Sequence, residues 1–379
     1  MTASAPSRLA YIDWMRGLAC LLMFQTHAYD AWLTPEARKT QFFMYSQGLG
    51  TFPGPLFLFL AGISSALVVD RLRQKGVAAN DIARATMSRG LEIWGLGMAF
   101  RLQEYLIAFP WAPWSNLFRV DILNILGLAM ILMGAVARLA AGGKGSSAAR
   151  ARWLTLAAAI TVALAIALLT PPLWTTWRLR FLPWPLESYI NGVDVFDQPH
   201  PGLFPIFPWV GFAFAGLAMG LALFSDWARR HEGAALALLG VGGAALFQSA
   251  RWLEAQPIQL YAVHNFWLTS PNFFLMRVGL LLGILWGSYA WCRWGLATKG
   301  FSPVIQLGQT SLLVYWVHIE LVYGRVSILP QHTQSIRGAS LGLATITLAM
   351  LVLSVIKTRI LPRLSWWPGS KRPIGSKAS

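Results

Sequence analysis

Apolar stretches long enough to cross a bilayer recur along the whole chain, separated by short polar segments. A spanning helix needs about 20 predominantly apolar residues. Ten stretches fit this length, and the seventh, which is short and rich in Gly and Ala, fits it least well. They cover residues 9–32, 52–70, 86–108, 119–140, 152–171, 203–224, 233–250, 272–292, 303–324 and 338–360. The pattern predicts an all-α fold, a polytopic transmembrane helical bundle of about ten spans, with nine or eleven left open.

Composition supports the same class. The chain is 56% hydrophobic and 12% charged, whereas soluble domains carry about 25% charged residues. Its 19 tryptophans suit the interfacial belts of membrane proteins. The first stretch contains Asp13 and Arg16 and shows no small-residue cleavage site, so we expect a first span rather than a signal peptide. We expect one transmembrane domain over 1–365 and a basic, disordered cytoplasmic tail over 366–379.

The net charge of +16 is distributed as in a membrane protein. With ten spans, both termini and the even-numbered loops share one side, which carries 19 Lys and Arg residues against seven on the other. The positive-inside rule then places both termini in the cytoplasm. We find no nucleic-acid motif, phosphate-binding glycine loop or zinc-ligand spacing, so neither a nucleic-acid partner nor a metal is expected. Cys20 and Cys292 fall in or beside predicted spans, where packing is expected rather than a disulfide.

Arg16 and His27 stand eleven residues apart in the first span, within RGLACLLMFQTH. Eleven helical steps turn about 1100°, roughly three full turns, so both residues share one face about 16 Å apart along the axis. Ionisable residues inside a spanning helix are candidates for a functional site. We interpret the pair as marking a route through the membrane for a substrate, with the reaction taking place near His27.

Further polar residues gather at a similar predicted depth, toward the non-cytoplasmic face. They are Asp30 in the first span, Arg101 and Glu104 in the third, Asp121 and Asn124 in the fourth, Asn272 and Arg277 in the eighth, and His318 in the ninth. His27 and Asp30 have the i, i+3 spacing of a base and its orienting carboxylate, although Asp30 at a helix end could simply face water. Arg101 and Glu104 have the spacing of a structural ion pair, and Asp13 is assigned to the structural polar pairs as well.

Several of these residues keep more than one interpretation. Arg277 has no carboxylate within a turn of its own helix, so it requires a ligand or a partner on another helix. Asp121 is a candidate partner for Arg277 or for Arg119. His318 is a hydrogen-bonded core histidine, a second acid or base, or an acceptor-binding group. The candidates for oxyanion stabilisation or acceptor binding are Asp121, Asn124, Asn272, Arg277 and His318.

An Arg followed by ten residues and a His in the first span resembles the signature of the integral-membrane acyltransferase-3 family. The segments DWMRGLACLLM, RVDILNILGLAMIL, FPWVGFAFAGLAMG, SPNFFLMRVGLLL and TSLLVYWVHIELVYG are more similar to the related heparan-α-glucosaminide N-acetyltransferase-like group. The resemblance covers the first nine spans. It implies transfer of an acyl group, most commonly acetyl, from cytoplasmic acyl-CoA to a sugar amine or hydroxyl on the far side of the membrane.

The resemblance also implies that His27 is the catalytic histidine and that Arg16 helps to hold the acyl-CoA. The lysosomal enzyme of the group has its essential histidine in the first outer loop. In this chain that loop, AWLTPEARKTQFFMYSQGLG, contains none, which favours the acyltransferase-3 position of the histidine. We expect His27 to act as general base or transient acyl carrier and Asp30 to fix its tautomer.

The expected partners are therefore an acyl-CoA co-substrate, a glycan acceptor and the lipid bilayer, while a homo-oligomer is left open. Short loops suggest a bacterial inner membrane. The alternative function is a transporter or proton-coupled flippase that uses the same polar layer; the chain lacks the internal repeat typical of many transporters. A non-catalytic scaffold would explain the ion pairs, but it would not explain why Arg16 and His27 lie on the same face of one helix.

Overall fold

The computed structural model describes residues 9–140, 147–192, 203–257, 260–295 and 300–361. The tail predicted over 366–379 lies outside this range. The helices are α1 (Ala10–Trp32), α2 (Gln41–Leu49), α3 (Pro53–Gln74), α4 (Ala79–Ala108), α5 (Ile122–Ala140), α6 (Ala148–Trp174), α7 (Trp184–Asn191), α8 (Ile206–Leu223), α9 (Asp226–Arg230), α10 (Glu232–Glu254), α11 (Pro271–Trp294), α12 (Pro303–Gln309), α13 (Ser311–Val322) and α14 (Ile336–Val355). Within the described ranges no strand forms beyond a single bridge, Leu33 with Gln334, so the all-α prediction is confirmed.

Seven of the described helical stretches are long and apolar enough to cross a membrane. They are Gln41–Gln74, Ile122–Ala140, Ala149–Trp174, Ile206–Leu223, Glu232–Glu254, Pro271–Trp294 and Ile336–Ile360. The prediction of a polytopic helical bundle is confirmed, including a helix at the weakest stretch, where α10 forms. The stretches at α1, α4 and α12–α13 are helical as well, while ten crossings and cytoplasmic termini stay predictions.

The chain forms two compact units. The first consists of Met1–Pro53 and Trp291–Ser379, and the second of Gly54–Ala290. In the second unit, α8 carries no charged residue and packs against α5, α6 and α7. Its Phe212 and Phe214 are fully buried, as expected for a helix that is apolar all round.

In the first unit, α1 and α12 cross with their backbones almost in contact. A Cβ atom at Gly17 would lie 1.8 Å from the carbonyl oxygen of Val304, and one at Gly308 would lie 1.8 Å from that of Asp13. No side chain fits at either point, so glycine is required on both helices. The crossing fixes the turn of α1 that carries Asp13 and Arg16.

The ninth predicted span, 303–324, is not one continuous helix, and that expectation was wrong. The chain breaks at Thr310, whose N–H bonds the carbonyl of Leu307 rather than that of Gln306. The freed Gln306 carbonyl instead accepts a hydrogen bond from Ser354 Oγ of α14 at 2.8 Å. Irregular backbone at membrane depth is tolerated when protein groups satisfy it in this way. The break sets the start of α13.

Candidate active site: a histidine pair in the first unit

His27 of α1 and His318 of α13 form a hydrogen-bonded pair. Nδ1 of His27 lies 2.9 Å from Nε2 of His318, and the two ring planes differ by 1°. His318 is fully buried, whereas His27 is half-buried. The two residues are 291 positions apart, so no local spacing could have paired them.

The contacts of His318 define the tautomers of a neutral pair. Its Nδ1 lies 2.9 Å from the backbone carbonyl of Val314, one turn earlier in α13. A carbonyl oxygen only accepts, so Nδ1 of His318 donates and its Nε2 carries the lone pair. Nδ1 of His27 must then donate to that Nε2, which leaves the lone pair of His27 on its own Nε2. Because a buried charge without a counter-charge is costly, the full burial of His318 favours this neutral arrangement.

Asp30, predicted to orient His27, is held by two other residues. Its carboxylate accepts a hydrogen bond from the Tyr323 hydroxyl at 2.8 Å and pairs with Arg38. The Tyr323 ring packs edge-on against the His27 ring, with centroids 5.5 Å apart. The structure thus places His318 at Nδ1 of His27, and Asp30, which was predicted to fix the tautomer of His27, joins the cluster through Tyr323. Arg38 was not identified from the sequence, because nothing in its loop marks it.

Arg16, the predicted donor-binding residue, lies in the same helix as His27. Its Nη1 is 3.0 Å from Oδ1 of Asp13, three residues earlier. The Arg16 side chain keeps 25% of its surface exposed, against 10% for Asp13. The pairing neutralises part of the charge in α1 and leaves a quarter of the Arg16 side chain exposed.

In the second unit, Arg101 is buried between two carboxylates. Its Nη2 lies 3.0 Å from Oδ2 of Asp121 and 3.9 Å from Oε2 of Glu104. Asp121, for which the sequence suggested Arg277 or Arg119 as a partner, thus forms its ion pair with Arg101. The Asn124 side chain accepts a hydrogen bond from the Asp121 N–H at 3.2 Å, which is half of a capping box at the start of α5. These contacts give Asp121 and Asn124 structural roles, and acceptor binding by either stays a prediction.

Asn272 and Arg277 lie near the start of α11, in the second unit. The Asn272 amide donates to Oε2 of Glu254 at 2.8 Å, and the Ser270 hydroxyl donates to the same oxygen at 3.1 Å. Glu254 was not among the residues singled out in the sequence. The Arg277 guanidinium stacks on Phe273, 4.1 Å from the ring centroid.

Within the described part of the chain, no cluster of three or more His, Cys, Asp or Glu residues could hold a metal ion. Cys20 and Cys292 are free thiols. The described residues of the first unit bring two imidazoles together with a carboxylate, a phenol and an arginine.

The long apolar helices define an integral membrane protein, and its first unit holds the hydrogen-bonded pair of His27 and His318. The family model described as heparan-alpha-glucosaminide N-acetyltransferase, catalytic, matches residues 8–266, more than half of the 379-residue chain. The chain belongs to this family, as the sequence resemblance predicted, and is a transmembrane acetyltransferase. A search of curated proteins found no match. The matched residues include Arg16 and His27 and end before α11, so His318 lies beyond them.

Proposed function

We propose that this protein transfers an acetyl group from cytoplasmic acetyl-CoA to a sugar amine or hydroxyl on the non-cytoplasmic side, with His27 as general base. The observation that carries the proposal is the 2.9 Å contact between Nδ1 of His27 and Nε2 of His318. The family membership supports the acetyl group and the transferase class, and acetyl-CoA is the donor this family uses.

The contact supports His27 as a base because it determines which nitrogen carries the lone pair. With Nδ1–H donated to His318, Nε2 of His27 is unprotonated and can take a proton from an acceptor amine or hydroxyl. Half-burial leaves His27 within reach of a substrate, while His318 is buried behind it. As His27 becomes an imidazolium, its bond to His318 becomes charge-assisted and stronger.

The reaction then balances without a further reagent. The acceptor nitrogen or oxygen attacks the thioester carbonyl carbon while Nε2 of His27 removes its proton. The C–S bond breaks, and the departing thiolate takes the proton back from the imidazolium, giving CoA–SH and the acetylated sugar. In the alternative two-step route, the same Nε2 lone pair attacks the thioester, the C–S bond breaks and CoA leaves as the thiolate, giving acetyl-His27. The acceptor then attacks the acetyl carbon, the C–N bond to Nε2 breaks, and the acceptor proton goes to the CoA thiolate.

Arg16 is proposed to hold the donor. It lies on the same face of α1 as His27, about 16 Å away at 1.5 Å per residue. Its pairing with Asp13 leaves a quarter of its side chain exposed, and guanidinium groups suit phosphate and carbonyl oxygens. A thin pantetheine arm that extends from Arg16 would bring the thioester toward His27.

The proposed direction of transfer rests on the distribution of Lys and Arg residues, of which 19 lie on the side assigned to the termini, the cytoplasmic side by the positive-inside rule. The host membrane is proposed to be a bacterial inner membrane. Residues 1–365 are proposed to form a single transmembrane domain.

The test uses purified protein in sealed liposomes with radiolabelled acetyl-CoA on one side and cell-envelope glycans on the other. The proposal expects label in the glycan, dependent on protein and on the side that receives acetyl-CoA. Liposomes without protein serve as the control. Glycan or proton movement without labelling would instead support the transporter alternative and reject the proposal.

A further inference from the structure

Arg277 is a buried cation that lacks a charged partner in the part of the chain that the structure describes. It is 8% exposed, and its Nε atom is sealed from solvent without a hydrogen-bond partner. The helix that carries it, α11, contains no acidic residue. Its one described contact of electrostatic character is the stack on Phe273.

Other buried charges in the second unit are paired with opposite charges. Arg101, which is 7% exposed, has carboxylate oxygens at 3.0 and 3.9 Å. Asp70, which is 3% exposed, pairs with Arg152 at 3.0 Å and with Arg229. Arg277 therefore departs from the pattern that this unit follows elsewhere.

The stack on Phe273 does not compensate for the burial of Arg277. A cation–π contact recovers only part of the desolvation cost of a buried guanidinium. Phe273 also packs against Phe266 and Trp267, with ring centroids 4.7 and 5.1 Å away. Because Trp267 is 60% exposed, this aromatic cluster of Phe266, Trp267 and Phe273 extends from the surface to the guanidinium.

We propose that Arg277 binds an oxyanion, the carboxylate or phosphate of a ligand that enters beside the aromatic cluster. A guanidinium presents a planar fork of donors that matches both groups. An ionisable residue within a spanning helix is expected to face a ligand or an ion pair, and the described residues supply no ion pair here. A sugar acid, a soluble phosphate and a lipid headgroup share this chemistry. The proposal does not depend on the role of His27.

The test measures the thermal unfolding midpoint of the purified protein in nanodiscs at constant ionic strength. One arm adds sodium glucuronate, a second adds inorganic phosphate, and a third replaces zwitterionic lipid with phosphatidylglycerol. The variants are Arg277→Gln, which removes the charge, and Arg277→Lys, which keeps it without the fork. Arg293→Gln, at the exposed end of α11, is the matched control.

At least one arm should raise the wild-type midpoint by about 2 °C or more. The shift should vanish in Arg277→Gln, shrink in Arg277→Lys and persist in Arg293→Gln, and the responding arm identifies the source of the oxyanion. Without added anion, Arg277→Gln should unfold at the wild-type midpoint or above it, because the substitution removes an uncompensated charge.

The proposal is overturned if no arm produces a shift that depends on Arg277, or if Arg277→Gln unfolds below the wild type in anion-free nanodiscs. The second result would mean that the wild-type guanidinium already has a stabilising partner. Because the readout is binding rather than acetyl transfer, a failure of the proposed function leaves this test unaffected.

Discussion

Replacing His318 with Leu removes the acceptor for the Nδ1–H of His27 and keeps an apolar side chain of similar size at a fully buried position. A neutral hydrogen bond contributes about 1 kcal/mol net, and a buried donor left without an acceptor costs about 1–3 kcal/mol. Since 1.36 kcal/mol corresponds to a tenfold change, we expect kcat to fall by about 10- to 100-fold. This loss is at or below the lower end of the factor of about 10²–10⁴ that a general base contributes, as expected for a residue that acts through the base.

The Michaelis constants should change little, because His318 uses both ring nitrogens on His27 and Val314 and has none for substrate. The assay measures initial rates of acetyl transfer while each substrate is varied. His318→Gln should recover part of kcat, because its carboxamide oxygen can accept the Nδ1–H of His27. His231→Leu, at an exposed histidine of the second unit, controls for the loss of an imidazole, and unfolding midpoints show that each variant folds.

Two results would refute this reasoning. A wild-type kcat in His318→Leu would mean that His27 needs no acceptor at Nδ1. A raised acceptor KM with unchanged kcat would mean that His318 contacts the sugar, as one sequence interpretation allowed, and does not position His27.

Two further predictions concern α1. Arg16→Ala should weaken acetyl-CoA binding by about tenfold or more, because a hydrogen bond to a charged group contributes about 1.5–3 kcal/mol. Isothermal calorimetry measures the affinity, and Arg89→Ala, at an exposed ion pair, is the control. Wild-type affinity in Arg16→Ala would remove Arg16 from the donor site. Gly308→Ala should destabilise the protein by about 1–3 kcal/mol through overpacking, because the new Cβ would lie 1.8 Å from the Asp13 carbonyl oxygen. Gly48→Ala, where the Cβ meets nothing within 4 Å, should unfold at the wild-type midpoint, and equal midpoints for both variants would argue against the α1–α12 crossing.

The helices were predictable because the length and apolar composition of a segment determine whether that segment forms a helix in the membrane. Nine of the ten predicted stretches coincide with a single helix, and α10 formed even where the pattern was weakest. The break at Thr310 was not predictable, since Ser354, 44 residues away, satisfies the carbonyl that the break leaves open. Such a partner becomes visible only after α12 and α14 have packed together.

The sequence identified the residues of the candidate site individually, but it did not predict that His27 pairs with His318. Periodicity selected His27 and Asp30 because it reports which residues share a face of one helix. It could not show that Nδ1 of His27 faces α13, since that depends on packing between distant segments. In the same way, Asp121 and Asn124 were both placed in the fourth predicted span, but the helix begins between them and turns the pair into a cap.

Acetyl transfer by His27→Gln tests the central claim most directly. The substitution keeps a polar side chain in α1 and removes the Nε2 lone pair. In a single turnover with bound acetyl-CoA, we expect transfer to slow by at least about 100-fold, while acetyl-CoA affinity and the unfolding midpoint stay at wild-type values. Transfer at the wild-type rate would contradict the assignment of His27 as the base.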